Sequence, residues 1–404
     1  MPSTLAAPNY GFNDAAVLVT SICEQATGQK VLTPTDLSDF VSVGTTALSA
    51  GYDPLLNAIS QVLSRTIYSI RPYDEKFKGL LSDTLKWGNH VRKLKLADDE
   101  FESDQRYIDT PAQTPIDFLA DGDSVDMYSI KKPKALQLNF YGQNIFQQHV
   151  TLFRDQLDVA FRSPDELMGF TSMIMTNMSN RMAHARETMA RAALANFIGG
   201  KNILGTGHVV HLVTEYNNAH NASLTTTTVK DAANWPGFCR WLAGFIMTLS
   251  DRFTEYSQIY QVTPTGYALN QHTPKERQRL YLLSNEMNSM ITEVLSTTYN
   301  EKLARIGDYE AVNFWQGIND PDEIQVTPSY MDASGAIVTG AAQTMTNVLG
   351  VLLDEEAIMT TQINEWSAPT PMNAAGGYSN LYFHAGHRYA NDFSEKGIVL
   401  LLDT

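Results

Sequence analysis

The sequence predicts an α+β protein, and three features indicate this fold class. The first is a long helical pattern between Ser163 and Gly200. The second is a pair of strand patterns inside residues 87–141, and the third is a set of apolar strand patterns near the C-terminus, at 348–353, 378–383 and 398–402. Helices and strands are therefore both expected as major elements.

The long helix has a clear predicted start and stop. Ser163 can accept a hydrogen bond from a first-turn amide, Glu166 can reach back to the cap, and Pro164 occupies the first helical position, where it loses no hydrogen bond. Gly199-Gly200 predicts the end. A helix over 164–198 would be on the order of 50 Å long. We therefore expect it to lie along an extended object.

One face of this helix carries a methionine every seventh residue, from Met168 to Met189. Flexible and small side chains along a narrow stripe favour close packing on a sheet or on a neighbouring helix. A two-stranded coiled coil is the alternative interpretation. It is disfavoured because such a coil prefers leucine and β-branched residues at these positions.

The N-terminal 52 residues predict short helices. One runs from Asp14 to Thr27 with Gly28 as its stop, and a second follows the capping sequence Thr33-Pro34-Thr35-Asp36. A third begins at Asp53-Pro54 and includes Leu63, and a strand follows at 66–70. We expect residues 1–52 to dock on a neighbouring molecule rather than on a core of their own.

Residues 87–141 predict a long two-stranded extension. Strand patterns at 90–96 and 134–140 flank an acidic stretch from Asp98 to Asp126, and basic residues cluster beside both strands. An isolated hairpin is marginally stable in water, so this extension should lie against another chain. The charged residues expected to contact a neighbouring subunit are Arg92, Lys93, Lys95, Asp98, Asp99, Glu100, Asp121, Asp123, Lys131, Lys132 and Lys134.

The part of the chain after the long helix predicts further mixed structure. We expect a strand at 209–213 followed by a polar loop, and a helix over 236–253. Thr273-Pro274-Lys275-Glu276 has the pattern of a capping box and predicts another helix. Weak strands are expected within 326–346, followed by a buried strand at 348–353 that ends in an acidic turn.

Composition excludes several classes of protein. The formal net charge of −15 has the wrong sign for a basic nucleic-acid-binding surface or for docking on anionic lipid. Cys23 and Cys239 are far apart in the sequence, which predicts neither a disulfide framework nor a thiolate metal site, and we expect both to be buried. We expect neither a signal peptide nor a membrane span, and we therefore expect the chain to be synthesised and folded in a cytoplasm.

The sequence predicts no catalytic, metal or cofactor site. His208 and His211, like His384 and His387, have a metal-motif spacing, but in a strand these positions point to opposite faces, and no third ligand is near in sequence. The acidic run Asp121 to Asp126 fails the spacing of a calcium loop. We find no nucleophile elbow or dinucleotide fingerprint, so an enzyme is not expected.

Three passages give the chain its resemblance to a known family. They are Phe140-Tyr141-Gly142-Gln143 leading through Phe161 into the long helix, the run Val351 to Ala357, and the tyrosine-rich segment 378–392. With the order of the predicted parts, they resemble major capsid proteins of tailed bacteriophages with the Hong Kong 97 fold. The similarity is closest to those of short-tailed phages of the phi-twenty-nine type.

That resemblance implies a division of the chain into five parts. They are an N-terminal arm at 1–52, a peripheral domain at 53–86 and 142–214 with the long helix as its spine, an extended loop at 87–141, an apical domain at 215–376, and return strands of the peripheral domain at 377–404. The extended loop would lie over an adjacent subunit.

The resemblance also implies a function. The chain would be a structural capsid protein that assembles with itself, as pentamers and hexamers, into an icosahedral shell around double-stranded DNA. It would be part of the virion, assembled in the host cytoplasm, with portal and scaffolding proteins as partners. A bacterial nanocompartment shell of the same fold is the alternative, and a metal-dependent enzyme using the paired histidines is a third.

Overall fold

The computed structural model describes most of the chain. The described residues are 12–51, 53–59, 77, 90–98, 107–108, 117–118, 121–122, 124–128, 130–141, 144–161, 164–297 and 309–404. The expected strand at 66–70, the cap residue Ser163 and Leu63 lie outside them.

The described chain divides into two compact units. Unit 1 comprises residues 1–89, 142–192 and 359–389, and unit 2 comprises residues 90–141, 193–358 and 390–404. The five parts that the resemblance implies stay a prediction.

The described residues contain eight α-helices. They are α1 (Phe12–Thr27), α2 (Leu37–Ser49), α3 (53–59), α4 (Arg154–Ala160), α5 (Pro164–Leu204), α6 (Leu212–His220), α7 (Trp235–Thr254) and α8 (Ser284–Thr297).

Sixteen strands lie in the same described part of the chain. They are β1 (His90–Leu96), β2 (Tyr107–Ile108), β3 (Asp117–Phe118), β4 (Ala135–Tyr141), β5 (Asn144–Phe153), β6 (Val209–His211), β7 (Gln278–Leu283), β8 (Glu310–Val312), β9 (Ile324–Val326), β10 (Ser329–Met331), β11 (Ile337–Thr339), β12 (Gln343–Met345), β13 (Val348–Asp354), β14 (Ile358–Pro369), β15 (Tyr378–Asn391) and β16 (Gly397–Leu401).

Unit 1 is built on a three-stranded sheet in the order β14-β15-β5, with β15 and β5 antiparallel. Helices α1 and α2 are held by the predicted signals: Gly28 takes a positive φ after α1, and the Asp36 side chain accepts a hydrogen bond from Asp39 N. Their apolar residues, among them Val19 and Phe40, are buried in one cluster with Phe161 and Leu381. The expectation that this segment lacks a core of its own chain is therefore wrong for 12–49.

Unit 2 is built on a five-stranded sheet in the order β6-β16-β13-β7-β8. Every residue of the central strand β13 is buried. Its pairings with β16 and β7 are antiparallel, and the outer pairings are parallel. Helices α6, α7 and α8 bury Leu242, Phe253 and other apolar side chains against this sheet in a single cluster. Both cysteines are buried, as expected.

The long helix extends beyond its predicted end. Gly199 and Gly200 lie inside α5, which continues to Leu204. They are needed for close packing, because a Cβ at Gly199 would collide with Val326 and one at Gly200 with the ring of Phe393. The helix ends at Gly205, where φ is +69° and the Gly205 amide donates to the Lys201 carbonyl.

Two other expectations for unit 2 are wrong. Strand β6 ends at His211, and helix α6 replaces the predicted end of the strand and the first part of the polar loop, the rest of which follows from Asn221. The capping-box sequence at Thr273 opens a single 3₁₀ turn and then strand β7, because β7 pairs along its length with the buried strand β13. The hydroxyl of Thr273 donates to Asp354 Oδ2 over 2.7 Å and caps no α-helix.

Candidate subunit-contact surface

The predicted two-stranded extension is present. Strands β1 and β4 pair antiparallel, from His90 opposite Tyr141 to Leu96 opposite Ala135. The root of this hairpin packs on its own chain, where Ala97 and Leu136 form a small buried cluster with Leu269. The two strands are thus attached to unit 2, whereas the sequence suggested that the whole extension rests on another chain.

Two of the predicted contact residues lie in a buried ion-pair cluster. Lys93 Nζ is 3.0 Å from Asp392 Oδ2, 2.5 Å from Glu395 Oε1 and 2.9 Å from Glu356 Oε2. Lys95 Nζ is 2.6 Å from Glu395 Oε1 and donates to Ser394 Oγ over 2.7 Å. We call Lys93, Lys95, Glu356, Asp392 and Glu395 the hairpin clasp.

The charges of the clasp stabilise one another. Burial alone would raise the pKa of Asp392, but Lys95 and Lys93 bring it below its usual value. Burial likewise opposes the charge on Lys93, yet Asp392 and Glu395 raise the pKa of that ammonium above its usual value. The pKa of Glu356 is lowered against the effect of its burial, chiefly by its hydrogen bond with Lys93. All three groups are therefore charged at neutral pH.

Asp98 is also held by its own chain. Its carboxylate accepts a hydrogen bond from the Tyr256 hydroxyl over 2.5 Å and one from the Asn270 amide over 2.8 Å. The bond from Tyr256 is the main cause of the lowered pKa of Asp98. The backbone amide of Asp98 donates to Ala268 O, and this further hydrogen bond holds the chain just after the end of β1.

The other predicted contact residues that the structure describes lie at the surface. Arg92, Asp121, Lys131, Lys132 and Lys134 are exposed, and Lys134 Nζ is 3.4 Å from the carbonyl of Gly266. Asp99, Glu100 and Asp123 lie outside the described residues. A contact of any of the eleven residues with a neighbouring subunit stays a prediction.

An apolar group next to these lysines was missed by the sequence analysis. Met127, Tyr128 and Ile130 are 79%, 82% and 82% exposed. Together with Val125 they interrupt an otherwise polar stretch, and this was the signal that could have revealed them. We call Met127, Tyr128 and Ile130 the apolar tip. Large apolar side chains this exposed are typical of a surface that becomes covered in an assembly.

The paired histidines do not converge on a common site. His208 lies beside Lys201, and His211 bonds Asp403 over 2.6 Å. His384 stacks on Trp366, with ring centroids 4.0 Å apart. Among the residues that the structure describes, no group of three or more potential ligands could hold a metal ion. Within that same part of the chain, no helix is long and apolar enough to cross a membrane.

Solved structures of phage capsids share this fold. The capsid structure of Staphylococcus phage Andhra matches with a TM-score of 0.51 and 12% identity over 83% of this chain and 86% of that one. A structure of the head fiber and inner core protein gp22 of native bacteriophage P68 matches with a TM-score of 0.51 and 10% identity, over 82% of this chain and 85% of that one. The fold is that of the Hong Kong 97-type capsid proteins, as the sequence resemblance implied.

The sequence assigns the family more narrowly. A family model described as Phi29-like phage major capsid protein matches residues 19–400, and the chain belongs to that family. None of the curated proteins compared with the chain matches it. The protein is thus a structural component of a phage capsid shell, which makes an enzyme an unfavoured interpretation.

Proposed function

We propose that the chain assembles with itself, in rings of five and six, into the icosahedral head shell that encloses double-stranded DNA. Portal and scaffolding proteins are its expected partners, and the host cytoplasm is the expected place of assembly. The proposal includes no catalytic activity. The observation that carries it is the apolar tip, which stands exposed on a hairpin whose root is fixed to unit 2.

Burial of the tip would supply a large part of the contact energy. Removing apolar surface from water contributes about 25 cal/mol per Å², so covering two aliphatic side chains and a tyrosine contributes several kcal/mol. Ring contacts of this kind are heterologous, because the tip of one subunit meets a different surface of the next. We therefore infer that the segment 87–141 lies over an adjacent subunit, with Lys131, Lys132 and Lys134 near acidic groups of that neighbour.

The charge of the chain suits a container for DNA. With a net charge of −15, the protein offers few cations to phosphate, and the salt-dependent attraction that holds nucleic-acid-binding proteins on DNA is correspondingly weak. Such a wall can enclose DNA without retaining it. This is the property that distinguishes the proposed shell from a protein that organises DNA by binding it.

The experiment is assembly of the full-length chain followed by negative-stain microscopy. We expect shells from the wild type. We expect folded, unassembled protein from the triple variant Met127→Ser, Tyr128→Ser, Ile130→Ser. The control variant is Ile318→Ser with Ile337→Ser, two side chains that are also strongly exposed but lie elsewhere in unit 2.

The outcomes separate the parts of the proposal. Normal shells from the tip variant would show that the apolar tip is not part of the assembly surface. Loss of shells in the control variant as well would mean that exposed apolar area in general, and not the hairpin, drives assembly. Wild-type particles that co-purify with an enzyme cargo and carry no portal would favour the nanocompartment. A melting temperature for the tip variant equal to that of the wild type is required, so that failure to assemble is not failure to fold.

A further inference from the structure

The acidic half of the hairpin clasp lies on a buried connection between β15 and β16. In this connection, residues 392–396 are all buried. The Asp392 amide donates to Ala357 O, and Val262 donates to Phe393 O, both through backbone bonds of 2.8–2.9 Å. The Ser394 hydroxyl donates to Asp392 Oδ1 over 2.5 Å. The carboxylates of Asp392 and Glu395 are therefore presented by a fixed piece of backbone.

The basic half lies on one face of β1. Lys93 and Lys95 alternate with Arg92, Leu94 and Leu96, which point away and are exposed. The side chains of Lys93 and Lys95 are only 15% and 10% exposed. Lys93 and Lys95 thus attach one face of β1 to the rest of unit 2, and the hydrogen bonds of Asp98 hold the chain just beyond the end of the strand.

Apolar burial at the root of the hairpin is small. The cluster contains Ala97, Leu136 and Leu269, with Leu138 and Tyr267 packed beside it. A two-stranded hairpin is marginally stable by itself, and removing one partner of a buried ion pair leaves the other charge uncompensated. The attachment of the hairpin should therefore depend on the clasp more than on apolar contact.

We propose that the hairpin clasp is a conformational latch: it holds the paired strands β1 and β4 on unit 2, and when it opens, the hairpin detaches as a unit while the five-stranded sheet stays folded. Two further cations face the clasp. Arg277 pairs with Glu356, and buried Lys201 lies within electrostatic range of Asp392 and Glu395. Arg277 and Lys201 are not part of the hairpin strands, so replacing Lys93 and Lys95 opens the latch selectively.

Hydrogen–deuterium exchange on the full-length, unassembled chain tests the latch. The variant is Lys93→Met with Lys95→Met, which keeps the length and much of the apolar character of both side chains. We expect the amides of β1 and β4 to exchange at least about tenfold faster, while those of β13 and β16 keep their protection, because local opening and global unfolding are separable. The matched control is Arg92→Met on the same strand, and it should leave exchange unchanged.

Unchanged exchange in β1 and β4 of the double variant would overturn the proposal, since the apolar contacts and the hydrogen bonds of Asp98 would then suffice. If the amides of β13 also lost protection, the double variant would be globally unfolded. The variant Glu356→Gln would then be used to test the latch instead. Glu356 is half-exposed at the edge of the clasp. That variant should speed exchange in β1 and β4 alone, and an unchanged or a uniform effect would count against the latch.

The consequence for assembly rests on the proposed function, because a latched root would fix the direction in which the apolar tip leaves the subunit. The two proposals fail separately. Exchange is measured without shells, so absence of shells from the wild type would leave the latch intact. If the wild type forms shells and exchange in the double variant is unchanged, only the latch proposal is contradicted.

Discussion

The ring of Phe393 stacks on that of Phe197, with centroids 5.2 Å apart and an angle of 20° between the planes. Gly200, one turn further along α5, lies against the same ring. A Cβ built at Gly200 would be 2.5 Å from Phe393 Cζ and 2.9 Å from Tyr330 Cβ. The absence of a side chain at Gly200 is thus what lets the buried connection 392–396 approach the helix.

Replacement of Gly200 by alanine should therefore destabilise unit 2. Overpacking of this kind costs about 1–3 kcal/mol, even though alanine is the better helix former. The control is Gly169→Ala in the same helix, where a Cβ meets nothing within 4 Å and the substitution should stabilise by about 0.5–1 kcal/mol. Chemical denaturation gives both values. Two stabilising substitutions would show that the connection can move aside.

The two glycines also show where sequence reasoning reached its limit. A glycine pair at the end of a helical pattern predicts termination, and the same pair permits close approach of another backbone. What decides between them is Val326 and Phe393, both more than a hundred residues away in the chain. Local pattern cannot supply that information.

Elements with local signals were predicted well. The Asp36 cap, the helix α7, the buried strand β13 and the pairing of β1 with β4 all follow from capping residues or from periodicity. Strand β7 was missed because its partner β13 overrides a local capping pattern.

The candidate site was predicted in part. The basic cluster on β1 was visible in the sequence. The carboxylates of Asp392 and Glu395 that pair with it lie far later in the chain, and Glu395 is 302 residues after Lys93. A charge on a predicted extension gives no indication of whether its partner belongs to the same chain. The structure supplies own-chain partners for Lys93, Lys95 and Asp98, and contacts with a neighbour stay a prediction.

The cap of α2 gives a second prediction. Asp36 accepts a hydrogen bond of 2.8 Å from the amide of Asp39, so Asp36→Ala should lower the stability of unit 1 by about 1 kcal/mol. Thr46→Ala is a suitable control, because the exposed Thr46 hydroxyl only donates back to the Ser42 carbonyl within the helix. Equal effects of the two substitutions on thermal unfolding would contradict a capping role.

Buried His387 predicts a dependence of stability on pH. Its burial, aided by nearby Arg186, lowers the pKa of His387 to about 4. The unfolded chain binds a proton on this side chain near pH 6.5 and the folded chain does not, so the free energy of unfolding should fall as pH decreases from about 6.5 toward 4. His387→Gln should reduce that slope between pH 7 and 5, measured by thermal unfolding. Exposed His149 provides the control, since His149→Gln should leave the slope unchanged.

Because of buried Lys201, we expect the free energy of unfolding to increase with pH in a higher pH range as well. Lys201 is fully buried, and its Nζ donates to Tyr260 O over 2.8 Å and lies 5.3 Å from the ring of Phe197. Burial lowers the pKa of Lys201 from its ordinary 10.5 to about 7, although Asp392 and Glu395 oppose the shift. Between these two values the unfolded chain binds the proton and the folded chain releases it, so the free energy of unfolding should rise as pH increases from about 7 to about 10.5.

Removing this ammonium should therefore stabilise the protein at neutral pH. Lys201→Met eliminates a buried charge at the cost of the bond to Tyr260 O, and a net gain of about 1 kcal/mol would raise the melting temperature by about 2–4 °C. The increase of stability with pH should also become shallower, with a remainder from Lys396, whose burial lowers its pKa to about 8. Exposed Lys132 is the control, because Lys132→Met should change neither quantity. A Lys201→Met variant less stable than the wild type at pH 7 would mean that the bonds of the ammonium outweigh its desolvation.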